Sequence, residues 1–409
     1  MKKPHANFIS IDAGSSKIAS IASMISKAGE TEVISQNLYY SEGIKSGIVV
    51  DLAKAEQSII QSIFALEQDF AGNIDEAVIS LAGYGTKSYY LENYINIGNA
   101  KITKNDVEKL IEKTLSGFNV KDSQVIHFFP LEFTIDSGDV VDDPVGMFSK
   151  KLSAKIHIIA ANSNMLLNLA NCFSKCQIEI SGVVLGIYAS AISCLTEDEK
   201  KLGSLIIDLG ARTTSFAIFI DSKMVYTGYV PIGGWHITSD IAKAFSINFS
   251  TAEKLKILYG TASEAASKSS NVISLDDGEG HQLNITIAEL SRIITPRIEE
   301  ILELLKAEYD KVNLDHLISR KIVLTGGGAL LKGLKEKVCI AFTKQVRIAK
   351  PKILNGFAED YNPGVYSSAI GIVEAYANRQ RKNHIPTNHD YGIKRSWGAK
   401  ILSWLRENI

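Results

Sequence analysis

Two stretches far apart in this chain share one grammar: an apolar strand, an Asp-x-Gly turn trailed by hydroxyl side chains, and a second apolar strand. The first is Phe8-Ile9-Ser10-Ile11-Asp12-Ala13-Gly14-Ser15-Ser16-Lys17-Ile18-Ala19-Ser20-Ile21. The second is Leu205-Ile206-Ile207-Asp208-Leu209-Gly210-Ala211-Arg212-Thr213-Thr214-Ser215-Phe216-Ala217-Ile218-Phe219-Ile220. Either alone is ordinary hairpin chemistry, because Asp and Gly both favour tight turns. Together, in order, they predict a duplicated fold whose halves each open with a polar-tipped hairpin. A third signal, Thr325-Gly326-Gly327-Gly328-Ala329, follows the apolar strand at Lys321–Leu324 and is read as opening a helix at Leu330–Val338. Glycines there let backbone approach a ligand closely.

Two such turns facing each other form a phosphate clamp. Backbone N–H groups and hydroxyls hold anionic oxygens, while the carboxylates of Asp12 and Asp208 orient hydrated Mg²⁺, which keeps most of its waters and needs few protein ligands. The expected phosphate contacts are Gly14, Ser15, Ser16, Lys17, Gly210, Thr213 and Thr214. No Gly-x-x-x-x-Gly-Lys-[Ser/Thr] occurs, and Gly326–Leu331 lacks the Gly-x-Gly-x-x-Gly spacing, so neither a P-loop nor a Rossmann dinucleotide site is expected.

The 409 residues exceed what one growing core accommodates, so more than one domain is expected. Charge is balanced, 44 Lys+Arg against 45 Asp+Glu, which removes the footprint of a bulk nucleic-acid binder. Four cysteines are too few for a disulfide framework and suit a reducing cytosol. Cys172 and Cys176, one helical turn apart, have no His or carboxylate at ligand spacing. No signal peptide precedes Phe8, and no run reaches the ~18 apolar residues of a spanning helix, so membrane contact is expected to be interfacial. Helices are expected at Leu52–Asp69, Ser163–Cys176, Val183–Leu195, Trp235–Phe245 and Ile287–Tyr309, alternating with strands in an α/β fold of mixed sheets, with Ser263–Gln282 as a surface loop.

This ordered set, over about residues 8–376, resembles the actin, sugar-kinase and heat-shock-chaperone ATPase superfamily. In that likeness Asp12–Lys17 and Asp208–Thr214 are phosphate loops 1 and 2, and Thr325–Ala329, including Gly326, Gly327 and Gly328, is the adenosine loop. Val183–Ser190 and Tyr366–Gly371 are the connecting helices at the interdomain hinge, where small residues permit close crossing. Ser250 and Glu253 have capping-box spacing, while the superfamily places Glu and Lys at Glu253 and Lys256 against ribose and adenine; both readings stand on the sequence.

Tyr40–Asp51, Leu195–Glu199 and Ile237–Ala242 resemble the FtsA cell-division family specifically. Phe129–Asp136, Asp143–Met147 and Leu152–Ile159 are similar to the extra subdomain of that family, which sugar kinases and MreB-like actins lack. The resemblance implies a two-lobed actin-like ATPase fold with duplicated mixed-sheet domains. The divisions expected are subdomain 1A (1–82, 161–200, 363–376), inserted subdomain 1C (83–160), subdomain 2A (201–245, 318–362), subdomain 2B (246–317), a linker (377–392) and a C-terminal amphipathic helix (393–409). It implies ATP and Mg²⁺ as ligands, self-assembly into filaments, and recruitment of other division proteins. It also implies docking of the FtsZ C-terminal tail on 2B through Arg297, with Arg292 and the neighbouring Ile293, Ile294 and Ile298. Two departures bear on chemistry: Ala211 and Arg212 stand where the family usually has Gly-Gly, and neither Gln nor Glu occurs around Ser181-Gly182 to orient an attacking water, Glu179 lying about a turn too early. At most slow hydrolysis is therefore expected.

On a helical wheel, Ile393, Trp397, Ile401, Leu402, Trp404, Leu405 and Ile409 occupy about half the circumference, and Arg395, Lys400, Arg406 and Glu407 the rest. Lys394 falls inside the apolar arc, where its stem can snorkel. The same stripe would suit a helix docked on the protein's own core. The basic linker, the paired Trp and the cationic face favour an anionic lipid surface; together with this, the resemblance implies a place on the cytoplasmic face of the inner membrane at the septum. The rivals from other classes are a sugar or acetate kinase using the same clamp and a pilus-assembly adapter.

Overall fold

In a computed structural model the chain is described over residues 5–70, 72–136, 138–276, 282–318, 321–358 and 363–384. The expected anchor at 393–409 and residues 385–392 of the linker lie outside the described residues.

The first lobe opens with the expected hairpin, β1 (Phe8–Ala13) antiparallel to β2 (Lys17–Ile25), and β2 continues antiparallel to β3 (Thr31–Tyr40). A two-residue ladder, β4 (Ile44–Lys45) with β5 (Ile48–Val49), precedes α1 (Leu52–Glu67). Asp51 caps α1 by accepting from the Lys54 N–H, satisfying a donor the helix cannot. The chain then enters β6 (Glu76–Leu81), parallel to β1. It leaves this sheet for a four-stranded antiparallel one made of β7 (Thr86–Lys101), β8 (Ser123–Ile135), β9 (Asp139–Val141) and β10 (Phe148–Asn162), in the order β7-β10-β8-β9. Helix α2 (Lys104–Ser116) packs on it, and Ile102, Leu110, Phe133 and Ile156 belong to its separate core. Helix α3 (Ser163–Lys175) returns to β11 (Glu179–Leu185), parallel to β6.

Helices α4 (Gly186–Cys194) and α5 (Glu197–Leu202) lead into the second lobe, where β12 (Ser204–Leu209), β13 (Thr214–Ile220) and β14 (Lys223–Val230) form an antiparallel meander. Next come α6 (Gly234–Phe245), α7 (Phe249–Tyr259), the hairpin β15 (Val272–Asp276) with β16 (Gln282–Thr286), and α8 (Ile287–Asp310). Strand β17 (Lys321–Thr325) pairs parallel with β12, and after α9 (Leu334–Phe342) β18 (Gln345–Ile348) pairs parallel with β17. Helix α10 (Ser367–His384) then runs back to the first lobe.

The two large sheets are β3-β2-β1-β6-β11 and β14-β13-β12-β17-β18. Each is a three-strand antiparallel meander extended by two parallel strands beside its first strand, so the sequence echo is a topological duplication. The fold is α/β, two lobes of duplicated mixed sheets with an inserted subdomain. The second lobe has one continuous core: Leu255, Ile273, Leu290, Ile294 and Ile298 from 246–317 pack with Ile207, Ile241 and Leu324.

Several local expectations are corrected. Val183–Leu185 is the end of β11, not helix, and the helix begins at Gly186; two Val and a Leu beside parallel β6 make a buried strand. The helix expected at Leu330–Val338 is a 3₁₀ turn over Gly327–Leu330 followed by α9, because Gly333 at φ +81° breaks the run. Ser263–Gln282 contains a 3₁₀ turn at Glu264–Lys268 and most of the β15/β16 hairpin. The linker cannot start at 377: α10 continues through His384, Ala377 is buried, and the Arg381 guanidinium donates to the Gly29 carbonyl at 3.0 Å.

Candidate functional site

The hairpin turns have matching geometry. Gly14 N–H donates to Lys17 O, and Gly210 N–H to Thr213 O, each at 3.0 Å. A Cβ on Gly14 would lie 2.7 Å from Lys17 O, and one on Gly210 3.0 Å from Thr213 O, so only glycine closes these turns without displacement. Both carboxylates are held by hydroxyls: Ser80 Oγ donates to Asp12 Oδ1, and Ser190 Oγ donates to Asp208 Oδ2 at 2.9 Å. Burial pushes the Asp208 carboxyl up to about 6, opposed by the Ser190 hydrogen bond and reinforced by the nearby Asp12 charge; burial raises Asp12 likewise. The duplication thus brings two carboxylates from separate lobes into electrostatic contact.

The hinge lies directly behind them. Ser190 of α4 exchanges a hydrogen bond with Ser368 of α10 at 3.0 Å, and Ser193 Oγ donates to Ser367 O at 2.8 Å. A Cβ on Gly371 would sit 1.8 Å from Ala189 O, so the helices cross as closely as their small residues allow.

The glycine loop sits on the second turn: at Gly326, φ +85°, a Cβ would strike Asp208 Oδ1 at 2.3 Å, whereas Gly327 faces open space. A Cβ on Gly328 would meet Leu209 Cδ2 at 1.8 Å. Lys256 Nζ donates to Gly234 O at 3.1 Å, Thr238 Oγ1 at 2.8 Å and Glu253 Oε2 at 2.7 Å, and Thr238 donates to the same Glu253 oxygen. Gly234 N–H in turn donates to Gly210 O at 2.9 Å, which joins this cluster to phosphate loop 2. Burial lowers the Lys256 pKa against the pull of Glu253, and Lys17 of the first lobe is near enough to lower it further. Glu253, Lys256 and Gly234 are therefore joined to the Gly210 turn and Gly326 to Asp208, with Lys17 of the first lobe within electrostatic reach of Lys256.

Some residue roles change. The capping-box reading of Ser250 and Glu253 is overturned: α7 is capped by Asn248, whose Oδ1 accepts from Thr251 N–H at 2.8 Å. Thr214 is buried and its hydroxyl donates to Ile232 O at 2.8 Å, which spends its proton within the lobe and removes it from the phosphate set. Ser15 Oγ accepts from Ser46 N–H at 2.7 Å and keeps its proton for a ligand. Thr213 and Ser16 stand half-buried in their turns, and Lys17 is exposed. Ser181 and Gly182 lie within β11; the first turn of α4 holds neither Gln nor Glu, and Glu179 is exposed at the far end of that strand.

Arg297 is not a free cation. Its Nε and Nη2 donate to Asp240 Oδ2 and Oδ1 at 2.5 and 3.1 Å, and Nη1 contacts Glu300. Ile294 and Ile298 face the core, leaving exposed Arg292 and half-buried Ile293 beside it. The sequence reading missed Ser80, Ser190, Ser368 and Thr238, hydroxyls from elements remote in sequence, and Gly233-Gly234, a dipeptide whose position ahead of a helix was a usable signal.

It also missed a buried junction. His127 Nε2 accepts from Leu185 N–H at 2.9 Å at the start of α4, while His157 bridges Ser88 Oγ at 2.9 Å and Met224 O at 2.8 Å. The inserted sheet thereby touches the connecting helix and the second lobe together. Burial holds both histidines down to about 4, so both are neutral at physiological pH.

Comparison with known proteins gives this geometry a family. The model for cell division protein FtsA matches residues 205–371, and the model for the SHS2 domain inserted in FtsA matches 83–160. The cell division protein FtsA of Borreliella burgdorferi is 32% identical over 402 residues, covering 97% of each chain. The chain belongs to the FtsA family. The FtsA of Pseudomonas aeruginosa is 29% identical, with 89% of this chain and 88% of that one covered, and that of Escherichia coli K12 is 27% identical over 98% of both. Solved structures share the fold: the PilM–PilN type IV pilus biogenesis complex (TM-score 0.63, 14% identity, 92% and 99% coverage) and ADP-bound MreB5 of Spiroplasma citri (TM-score 0.52, 15% identity, 93% and 98% coverage). As a member of the FtsA family this is an actin-like cell-division protein, and superfamily membership implies nucleotide binding.

Proposed function

We propose that this FtsA-family chain binds Mg²⁺-ATP between its two Asp-x-Gly turns and uses it to control assembly of a filament that tethers FtsZ to the membrane. The observation that carries the reading is the paired turns, with Asp12 close enough to raise the proton affinity of Asp208. The residues fit the ligand: tight turns closed at glycines with no room for a side chain, an available Ser15 proton, the Lys17 and Lys256 cations, and two hydroxyl-oriented carboxylates. Bound Mg²⁺ would neutralise phosphate charge. Asp12 and Asp208 would hold the ion through its waters, the turns at Gly14, Ser15, Ser16, Gly210 and Thr213 would receive phosphate oxygens, and Gly326–Gly328 with Glu253 and Lys256 would border the nucleoside. Without a Gln or Glu in the first turn of α4 to orient water, hydrolysis is slow and nucleotide acts as a state marker.

The tail of FtsZ, mixed acidic and apolar, docks at Arg292, Ile293 and Arg297, where its carboxylates compete with Asp240 for the guanidinium. The segment 393–409, apolar over half a helical wheel and basic over the rest, is the anchor to anionic lipid, and polymerisation makes that attachment lasting by multiplying weak anchors. The working place is the cytoplasmic face of the inner membrane at the septum, with other division proteins recruited there. Pelleting the full chain with ATP, anionic vesicles and FtsZ polymer tests this: FtsZ sediments with vesicles only when the chain is present, and deletion of 393–409 leaves it in the supernatant. Vesicle sedimentation unchanged by the deletion would refute the anchor.

A further inference from the structure

Arg212 sits in the second Asp-x-Gly turn, two residues after Gly210. Its guanidinium carbon lies 3.7 Å above the Trp235 ring centroid. Trp235 is itself fixed: its backbone N–H donates to Ala211 O at 2.7 Å, and its indole stacks on Phe249 with centroids 5.6 Å apart and planes 12° from parallel. Among the described residues no carboxylate and no hydrogen-bond acceptor engages the guanidinium. Partial burial lowers its pKa, yet an arginine remains charged in a protein. A cation with five N–H donors therefore rests on a π face alone, in the turn that opposes Asp12.

That arrangement is easily exchanged. A bidentate guanidinium–phosphate pair outweighs a cation–π contact, and its planar fork matches two phosphate oxygens as a lysine cannot. Gly233, packed against the Gly210 and Ala211 carbonyls with no room for a side chain, fixes the turn that carries Arg212, and Lys17 and Lys256 add positive charge nearby.

We propose that Arg212 is a movable ligand for the terminal phosphate of a nucleoside triphosphate, stacked on Trp235 in the empty cleft and drawn to the phosphate when triphosphate is bound. The inference rests on the nucleotide-site reading above and deepens it: Arg212 makes this chain prefer triphosphate to diphosphate, and Trp235 reports which is present. Trp235 also lies in the first turn of α6, whose Asp240 holds Arg297 of α8, so the exchange occurs at the head of the helix that packs against the tail receptor.

The test uses the full chain with Trp397→Phe and Trp404→Phe, which leaves Trp235 as the remaining one of the three tryptophans. Mg²⁺-ATP and Mg²⁺-ADP are titrated by calorimetry and by Trp235 emission. ATP changes the emission at saturation and ADP does not. Arg212→Met weakens ATP binding by tenfold or more, leaves ADP within twofold and abolishes the difference in emission. Arg212→Lys, which keeps the charge and loses the fork, recovers part of the ATP affinity. If the parent binds both nucleotides and Arg212→Met weakens them equally or not at all, the Arg212 assignment falls and the site stands. If the parent binds neither at millimolar concentration, both fall.

Discussion

Gly371→Ala is a substitution whose sign depends on the hinge. In an exposed helix, replacing glycine by alanine stabilises by about 1 kcal/mol. In α10 the added Cβ would stand 1.8 Å from Ala189 O and 2.3 Å from Ala189 C, both backbone atoms that cannot rotate away. Restoring van der Waals contact requires α10 and α4 to part by about 1.5 Å or more. That displacement acts on the Ser190–Ser368 bond at 3.0 Å, the Ser193–Ser367 bond at 2.8 Å and the Thr325–Ser367 bond at 2.7 Å, all buried. Overpacking costs about 1–3 kcal/mol, and each buried hydrogen bond lost about 1 kcal/mol more. The variant is expected to lose about 3–4 kcal/mol, read from urea denaturation followed by circular dichroism. Because Ser190 also holds Asp208, Mg²⁺-ATP affinity should drop at least tenfold. Gly327→Ala, with nothing within 4 Å of the new methyl, serves as the control and should stay within about 0.5 kcal/mol of the parent. A Gly371→Ala variant as stable as the parent, or more stable, would refute the close crossing and the coupling to Asp208.

Asp208, with its carboxyl raised from 3.8 to about 6, takes up a proton as pH falls through 6, so Mg²⁺-ATP binding measured by calorimetry should weaken steeply between pH 7 and 5. In the empty protein the sign is opposite: its stabilising contribution is present below 3.8 and lost as pH rises through 6. Asp208→Asn should therefore raise the thermal stability of the nucleotide-free chain at pH 7, by up to about 3 kcal/mol, while removing Mg²⁺-ATP binding. His127→Phe strips the Leu185 N–H of its acceptor at the head of α4 and should cost about 1–3 kcal/mol in denaturant unfolding. Asp240→Asn loosens Arg297 and should strengthen binding of an FtsZ tail peptide in fluorescence anisotropy; Arg297→Glu should weaken it more than twofold.

The duplicated sheets and their paired turns were legible because turn chemistry is local: Asp, Gly and hydroxyl residues declare a hairpin tip within a few positions, and the second declaration marks the second lobe. What escaped was decided by distant partners. Val183–Leu185 reads as helix or strand on periodicity alone, and parallel pairing with β6 decides for strand. Arg297 looked available because Asp240, 57 residues away, gives no sequence cue. Thr214 resembled its neighbour Thr213 until the fold turned its hydroxyl inward toward Ile232 O. His127 and His157 are single polar residues in apolar strands, and their task at the junction of three elements exists only once those elements meet.

The central claim is that nucleotide occupies the space between the Asp12 and Asp208 turns, and calorimetric titration of the full chain with ATP, with and without Mg²⁺, tests it most directly. One saturable site is expected, tightened by Mg²⁺ and lost in Asp208→Asn. Saturable binding that is unchanged in Asp208→Asn and indifferent to Mg²⁺ would contradict it.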